Sequence, residues 1–207
     1  EKADHIGGAM HWSGGHMSGA GNRHQVSKGI EDSVEKHYQD IVRITGGTGD
    51  LDLIRLAVEE APKTLDWLDD LGFEFAPECP RIIYGHVPYD TARTQYGVDK
   101  AMSIYKVLKP LWEEQVANGN IECFLEQPLV RLEKVGNRFT TIITKTENGE
   151  QSYKGKHIVM TTGGYGSNPT FFAEKHPNTP LVSSAYPTAT GDGHNIVEEV
   201  GGEFKYA

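Results

Sequence analysis

Apolar residues recur along this chain with two different periods, and the change between them divides it. From Asp32 or Ser33 to Ile44, the residues Val34, Tyr38, Ile41 and Val42 stand at helical spacing, which predicts a helix capped by one of the two polar residues and broken by GGTGD at Gly46 to Asp50. Asp50 or Asp52 caps the next segment, where Leu53, Leu56, Ala57 and Glu60 repeat by threes and fours. Pro62 then starts a further helix with Leu65, Trp67, Leu68 and Leu71, ended by Gly72. Trp67 and these leucines are expected in the core. A long helix from Val98 to about Ala117 carries Ala101, Ile104, Tyr105, Leu108, Leu111, Trp112 and Val116 on one face. Pro110 kinks or divides it, and Asn118-Gly119 stops it.

Beyond that helix Ile121 to Leu125 reads as a short buried strand, and from Gln127 to Thr161 the period is two. Turn signals at Gly136-Asn137 and Asn148-Gly149 separate three strands, Leu129 to Val135, Arg138 to Thr146 and Ser152 to Thr161, which together make a β-meander. The end of the third, HIVMTT, is expected to return to a parallel sheet and to carry Thr161 and Thr162 to its carboxyl end, where ligands of open α/β sheets gather. Short helices follow near Pro169 to Lys175 and from Thr190-Gly191-Asp192-Gly193 through Val200.

Glycine density marks the candidate chemistry. The stretch EKADHIGGAMHWSGGHMSGAG, Glu1 to Gly21, holds two Gly-Gly pairs and two further glycines, and such runs let backbone N–H groups approach a flat or anionic ligand closely. Glu1 stands where an acidic residue at the end of a second strand accepts hydrogen bonds from an adenosine ribose. Gly163 and Gly164 let a strand end pass close to a cofactor, with a plain turn as the alternative. The N–H groups of TGDG face an electronegative part of a ligand, or Asp192 is simply an N-cap. Between Phe73 and Gly97 the chain is irregular, with Pro77, Pro80 and Pro88 among Tyr84, His86, Tyr89, Arg93 and Tyr96. Loops of that composition carry function more often than stability.

EK, four residues, GG and then SGG, followed by TTGGYG at Thr161 to Gly166 and ATGDG at Ala189 to Gly193, resembles the flavoproteins of the fumarate reductase and succinate dehydrogenase class, with the 3-ketosteroid dehydrogenases. Each motif alone is common; three in this order, over essentially the whole chain, form a specific pattern. The family's G-x-G-x-x-G turn, which belongs upstream of Glu1, is absent. The resemblance implies an α/β, FAD/NAD(P)-binding Rossmann-like three-layer domain with a β-meander, incomplete at both ends. Residues 1–207 would then form part of an FAD-binding domain, without its first strand-turn-helix and without a substrate cap. It further implies FAD contacts at Glu1 (ribose), at Ala9, Ser13, Gly14 and Gly15 (diphosphate and flavin), at the Leu129 backbone (adenine), at Thr162 and Gly163 nearby, and at Asp192 (flavin).

His11 lies nearer the SGG than the histidine through which some members attach FAD, so non-covalent binding is expected. The family places the irregular loop near the flavin and the substrate cleft. His86 and Arg93 would there position an anionic substrate, the arginine by bidentate hydrogen bonds; the plainer reading is an exposed histidine and a surface arginine. The implied reaction is hydride transfer between flavin N5 and a C–C bond of a substrate such as fumarate, urocanate, a tricarboxylate or a ketosteroid, with no catalytic residue assignable here. The rival is an inactive flavoprotein scaffold or binding module.

Composition narrows the partners. Hydrophobic residues make up 37% of the 207, and with a mean hydropathy of -0.49 no run is long enough to span a bilayer. A formal net charge of -9 argues against a nucleic-acid partner. Cys79 and Cys123 stand in unrelated contexts, which fits a reducing, cytoplasmic setting. His5, His11, His16 and His24 with Met10 and Met17 show no repeated metal-ligand spacing, so no metal is expected. A sheet lacking its central strand leaves neighbouring edges unpaired, so this stretch expressed alone is expected to self-associate and to bind FAD weakly.

Overall fold

The computed structural model describes residues 1–85, 87–182 and 185–204. Its chain forms two compact units, one made of Glu1–Ala9 with Ile121–Ala207, the other of Met10–Asn120. No helix among the described residues is long and apolar enough to cross a membrane.

The second of these units is helical. Strand β1 (Met17–Ser18) pairs antiparallel with β2 (Thr94–Gln95), and around this short ribbon lie α1 (Arg23–Ser27), α2 (Val34–Thr45), α3 (Leu51–Asp70) and α4 (Ala101–Ala117). Ser33, one of the two expected residues, caps α2 by accepting from the Lys36 N–H at 3.2 Å, and Gly46 ends it in the left-handed conformation at φ 62°. The buried positions of α2 are nevertheless His37 and Asp40, while Val34, Tyr38, Ile41 and Val42 are half-buried.

Helix α3 departs further from expectation. It runs unbroken through Pro62, capped by Asp50, whose carboxylate accepts from the Leu53 N–H at 3.2 Å. A proline inside a helix removes one ladder bond. Here buried Val58 on one side of Pro62 and Leu65 and Leu68 on the other anchor both halves to the same core. Those three form the inward stripe, so Leu53, Leu56 and Trp67, expected inside, are exposed. The chain leaving β1 passes so close to α3 that a Cβ on Gly19 would meet Leu65 Cδ1 at 2.6 Å. Helix α4 starts at Ala101 rather than Val98, also continues through its proline, Pro110, and ends at Asn118 with Gly119 at φ 73°.

The other unit is built on the meander: β3 (Leu129–Val135), β4 (Arg138–Thr146) and β5 (Gly149–Lys154), all antiparallel, with Leu132 opposite Ile142 and Ile142 opposite Tyr153. The first two strands fall where the alternation puts them. The third ends at Lys154, and among the described residues neither 157–162 nor 121–125 belongs to a strand. A parallel strand needs neighbours to take its N–H and C=O groups, and the antiparallel meander is already complete without these segments. Val159 and Phe124 are accordingly exposed, which corrects both strand expectations. Helix α5 (Pro169–Lys175) is capped by Asn168, which accepts from the Phe171 N–H at 3.0 Å, and α6 (Asp192–Glu199) follows. Among the described residues, Ile143, Phe171 and Ile196 are the buried apolar side chains of this unit.

Candidate functional site

Within the meander unit the two later glycine motifs are knitted together by the backbone. The Gly191 N–H donates to the Gly164 carbonyl at 3.1 Å, the Ser167 N–H to the Ala189 carbonyl at 2.9 Å, and Asn168 Nδ2 to the Thr190 carbonyl at 3.0 Å. Glycine is required at both ends of this seam. A Cβ on Gly193 would lie 2.0 Å from Thr162 Oγ1; one on Gly191, already at φ 83°, would lie 2.9 Å from Tyr165 Cβ. Thr162 is thereby pressed against the first turn of α6. Gly163, at φ 76°, has open space where a side chain would stand. A cavity of about 460 Å³ is lined by Thr161, Thr162, Gly163, Gly193, His194 and Phe204 among others, and the buried Nδ1 of His194 has no hydrogen-bond partner among the described residues.

Asp192 is the charged member of this seam. Gly191 is the N-cap of α6, and no side-chain cap bond is made, so the reading of Asp192 as an N-cap is corrected. Its carboxylate instead accepts from Lys2 Nζ at 2.7 Å and from the Thr190 hydroxyl at 2.6 Å, while Lys2 Nζ also donates to Thr190 Oγ1 at 2.5 Å. Burial works against its charge, but the hydrogen bonds from Lys2 and Thr190 outweigh it and hold the carboxyl below the usual range. An ionised carboxylate has about four acceptor positions, so two bonds leave room for a hydroxyl donor.

The structure therefore brings Thr162, Gly163 and Asp192 together. Glu1 reaches them only through its neighbour Lys2; its own carboxylate is exposed and accepts from the Ala3 N–H at 2.9 Å. The Glu1 and Ala3 carbonyls accept from the Gln127 and Glu126 N–H groups at 2.9 and 3.0 Å, which ties this segment beside the entry to β3. Leu129 opens β3 opposite Thr144, and Ala9 is exposed in a 3-10 turn, Gly8–His11. Among the described residues neither bonds to the Asp192 cluster. Sequence reasoning missed Lys2 and also His5, whose Nδ1 lies 2.5 Å from Asp4 Oδ1 and whose Nε2 lies 2.7 Å from the Tyr186 hydroxyl. Nothing local signals a pairing across some 180 residues.

The remaining candidates belong to the helical unit. Ser13 Oγ accepts from the Gly15 N–H at 3.1 Å, and its carbonyl accepts from the Ala101 N–H at 3.4 Å, which seats the SGG turn on the start of α4. Gly15 is buried at φ 67°, and a Cβ there would come within 2.4 Å of the Ala101 nitrogen. Its missing side chain serves that close approach. Ser13 and Gly14 stay exposed.

Arg93 is neither a substrate clamp nor a surface residue. It is fully buried, its Nε and one terminal nitrogen donate to the two oxygens of Asp32 at 2.8 and 2.9 Å, and the other terminal nitrogen donates to Asp40. Asp32 accepts further from Gln25, and Asp40 from Arg43 and the Asp90 N–H. Burial raises both carboxyls and the hydrogen bonds lower them further, so both lie below the usual range. Beside them His37 is buried with neither ring nitrogen hydrogen-bonded among the described residues; burial, then the Arg93 charge, push its pKa down to about 4. His86 lies outside the described residues.

A family model described as FAD binding domain matches residues 1–206. A probable fumarate reductase, Ifc3, of Shewanella frigidimarina is 28% identical over 206 residues, covering 97% of this chain and 34% of that protein. The urocanate reductase of Eggerthella lenta is 27% identical over 220 residues, covering 97% of this chain and 33% of its own length. The solved open conformation of a flavocytochrome c3 fumarate reductase superposes with a TM-score of 0.86 at 26% identity, over 98% of this chain and 35% of that one. The chain thus spans about a third of the length of the relatives it matches.

Proposed function

This chain belongs to the FAD binding domain family, and from that premise we propose that it is the cofactor-holding part of a fumarate reductase-like oxidoreductase. Its fold is the Rossmann-like α/β fold of FAD-binding flavoproteins. The observation that carries the proposal is the seam between Thr162-Gly163 and the first turn of α6, where Thr162, Gly163 and Gly193 line a cavity and Asp192, which opens the helix, is kept ionised by Lys2. The group set fits a dinucleotide: an ionised acceptor for hydroxyls, a glycine with open space at its α-carbon, and a buried imidazole nitrogen unpartnered among the described residues.

In this reading Asp192, Thr162 and Gly163 hold the flavin side, Glu1 accepts from the ribose, and the Leu129 backbone meets the adenine. Ala9, Ser13, Gly14 and Gly15 follow the diphosphate and flavin, with Gly15 acting through the turn it makes possible. Bound FAD supplies hydride exchange at N5 with a C–C bond; this chain supplies position and field. The substrate is a carboxylate or ketosteroid-type molecule, as the names of the matched fumarate and urocanate reductases support on the carboxylate side. A cytoplasmic setting goes with the two free cysteines, Cys79 and Cys123.

Calorimetric titration tests this. The 207-residue chain alone is expected to bind FAD weakly, whereas a chain extended upstream through a β-turn-α-β unit binds one FAD that acid precipitation releases. Glu1→Ala in the extended chain should weaken binding by about 1.5–3 kcal/mol, the worth of a charged hydrogen bond. Tight stoichiometric binding by the short chain would put the start of the domain elsewhere, and unchanged affinity in the variant would remove Glu1 from the site.

A further inference from the structure

Helix α3 has a second apolar stripe that its own unit does not cover. Opposite the buried Val58, Leu65 and Leu68, the side chains of Leu53, Leu56 and Trp67 are 63%, 55% and 47% exposed. Between Leu56 and Trp67 on that face stand Glu60 and Lys63, bonded to each other at 2.6 Å, both more than half exposed. At 100° per residue, these five positions fall within a band roughly 80° wide. An apolar stripe interrupted by one acid and one base is not what a merely solvated face carries.

The order of its four inner positions, Leu56, Glu60, Lys63 and Trp67, is self-complementary, while Leu53 lies beyond that pattern and would stand opposite the partner's Asp70. Leu56 and Trp67 are equidistant from a point between Ala61 and Pro62, and Glu60 and Lys63 are equidistant from the same point. Two copies of α3 laid antiparallel across a two-fold axis at that point set each Leu56 against the partner's Trp67 and each Glu60 against the partner's Lys63. This is the requirement of an isologous contact, in which one patch must match itself. Its apolar pairs lie about 16 Å apart along the helix, at 1.5 Å per residue, with the two ion pairs between them.

We propose that this stripe is an interface between two copies of the chain, closed by antiparallel α3–α3 packing. Another protein would have to present the same apolar–base–acid–apolar spacing, which a second copy does by symmetry. One helix pair buries less than a standard interface, so the dimer is weak and reversible, with a dissociation constant on the order of micromolar or above.

Sedimentation equilibrium of the intact FAD-loaded protein across a wide concentration range tests it. The expected result is a reversible monomer–dimer equilibrium. Glu60→Lys and Lys63→Glu, each setting like charges opposite one another twice, should each raise the dissociation constant at least tenfold without altering the melting temperature. The two changes together restore opposite charges and should restore the dimer. Trp67→Ala should abolish it. A protein that is monomeric throughout, because another segment or a different partner covers the stripe, overturns the proposal. So does a dimer indifferent to the charge reversals or not rescued by the double variant.

Discussion

Two basic–acidic clusters in this molecule use similar groups to opposite ends. In the helical unit Arg93 is sealed between Asp32 and Asp40, with the arginine and Asp32 side chains at 0% exposure. In the meander unit Lys2 meets Asp192 with 24% and 34% of the two side chains still exposed. Burying an ion costs several kcal/mol, offset only by close geometry and further hydrogen bonds. The Arg93 cluster meets that condition by closing every carboxylate oxygen on a donor, and so holds the irregular segment around Pro88 to Thr94 onto α2. The Asp192 cluster is less costly to form and leaves acceptor positions of its carboxylate open. Completed coordination, rather than residue type, separates the pair that builds the fold from the pair proposed to face a ligand.

The most disruptive way to break this contrast is Arg93→Ala. It leaves two buried carboxylates uncompensated and should cost about 3–5 kcal/mol of stability. Thermal and denaturant unfolding would show it, while the FAD affinity of molecules that remain folded stays unchanged. A stability loss under 1 kcal/mol would mean that water reaches the cluster and that its burial is not what distinguishes it.

The second test uses acid. His37 feels the charges of the same cluster and is held neutral, with a folded pKa of about 4 against 6.5 unfolded. Between those values the unfolded chain binds the extra proton, so the contribution is fully present above pH 6.5 and is lost as pH falls toward 4. At 1.36 kcal/mol per pKa unit the full loss is about 3 kcal/mol. Asp32 and Asp40, whose values are lowered from 3.8, lose their contribution only at lower pH, so the windows separate. His37→Phe should flatten the stability profile between pH 6.5 and 4 and leave the steeper acid limb in place.

The same contrast explains what was legible in the sequence. Helix ends are legible where a cap and a glycine mark them, as at Ser33 and Gly46, because capping is chemistry between residues three or four apart. The glycine motifs were legible for a related reason: Gly191 and Gly193 stand where a Cβ would collide. The inward face of α3 was not, since that helix carries apolar residues on two sides and spacing alone cannot say which the core takes. Pro62 misled because buried side chains flank it on both sides. Arg93 was misplaced because its partners lie 53 and 61 residues away, and Lys2 was missed because Asp192 is 190 residues distant. The period of two continues into 157–162 and predicts a strand there, but a ladder is a property of two segments.

A smaller effect is expected at the open cluster. Asp192→Asn keeps the shape and removes the ionised acceptor; since Gly191 caps α6, stability should fall by less than about 1 kcal/mol, as for a partly exposed pair. FAD affinity should fall about tenfold, or ~1.4 kcal/mol. Because the Asp192 pKa is lowered, its charge persists throughout the neutral range and is lost only below the ordinary carboxyl value of 3.8. FAD binding should therefore show no titration from this group between pH 5 and 8. A stability loss with unchanged affinity would leave Asp192 a structural residue.

The smallest expected effect isolates Lys2. If Lys2 only ties Glu1 to the seam, the Lys2–Asp192 coupling in a double-mutant cycle of stability should be about 0.2–1 kcal/mol, screened by salt, because both side chains are partly solvated. If Lys2 instead holds Asp192 in its ligand-facing geometry, the same cycle read in FAD affinity should give a larger coupling than the one read in unfolding. Lys2→Met is the informative single change, since it keeps the aliphatic stem while removing the donor to both Asp192 and Thr190. Equal couplings in the two readouts would place Lys2 with Arg93, as a residue that builds the fold.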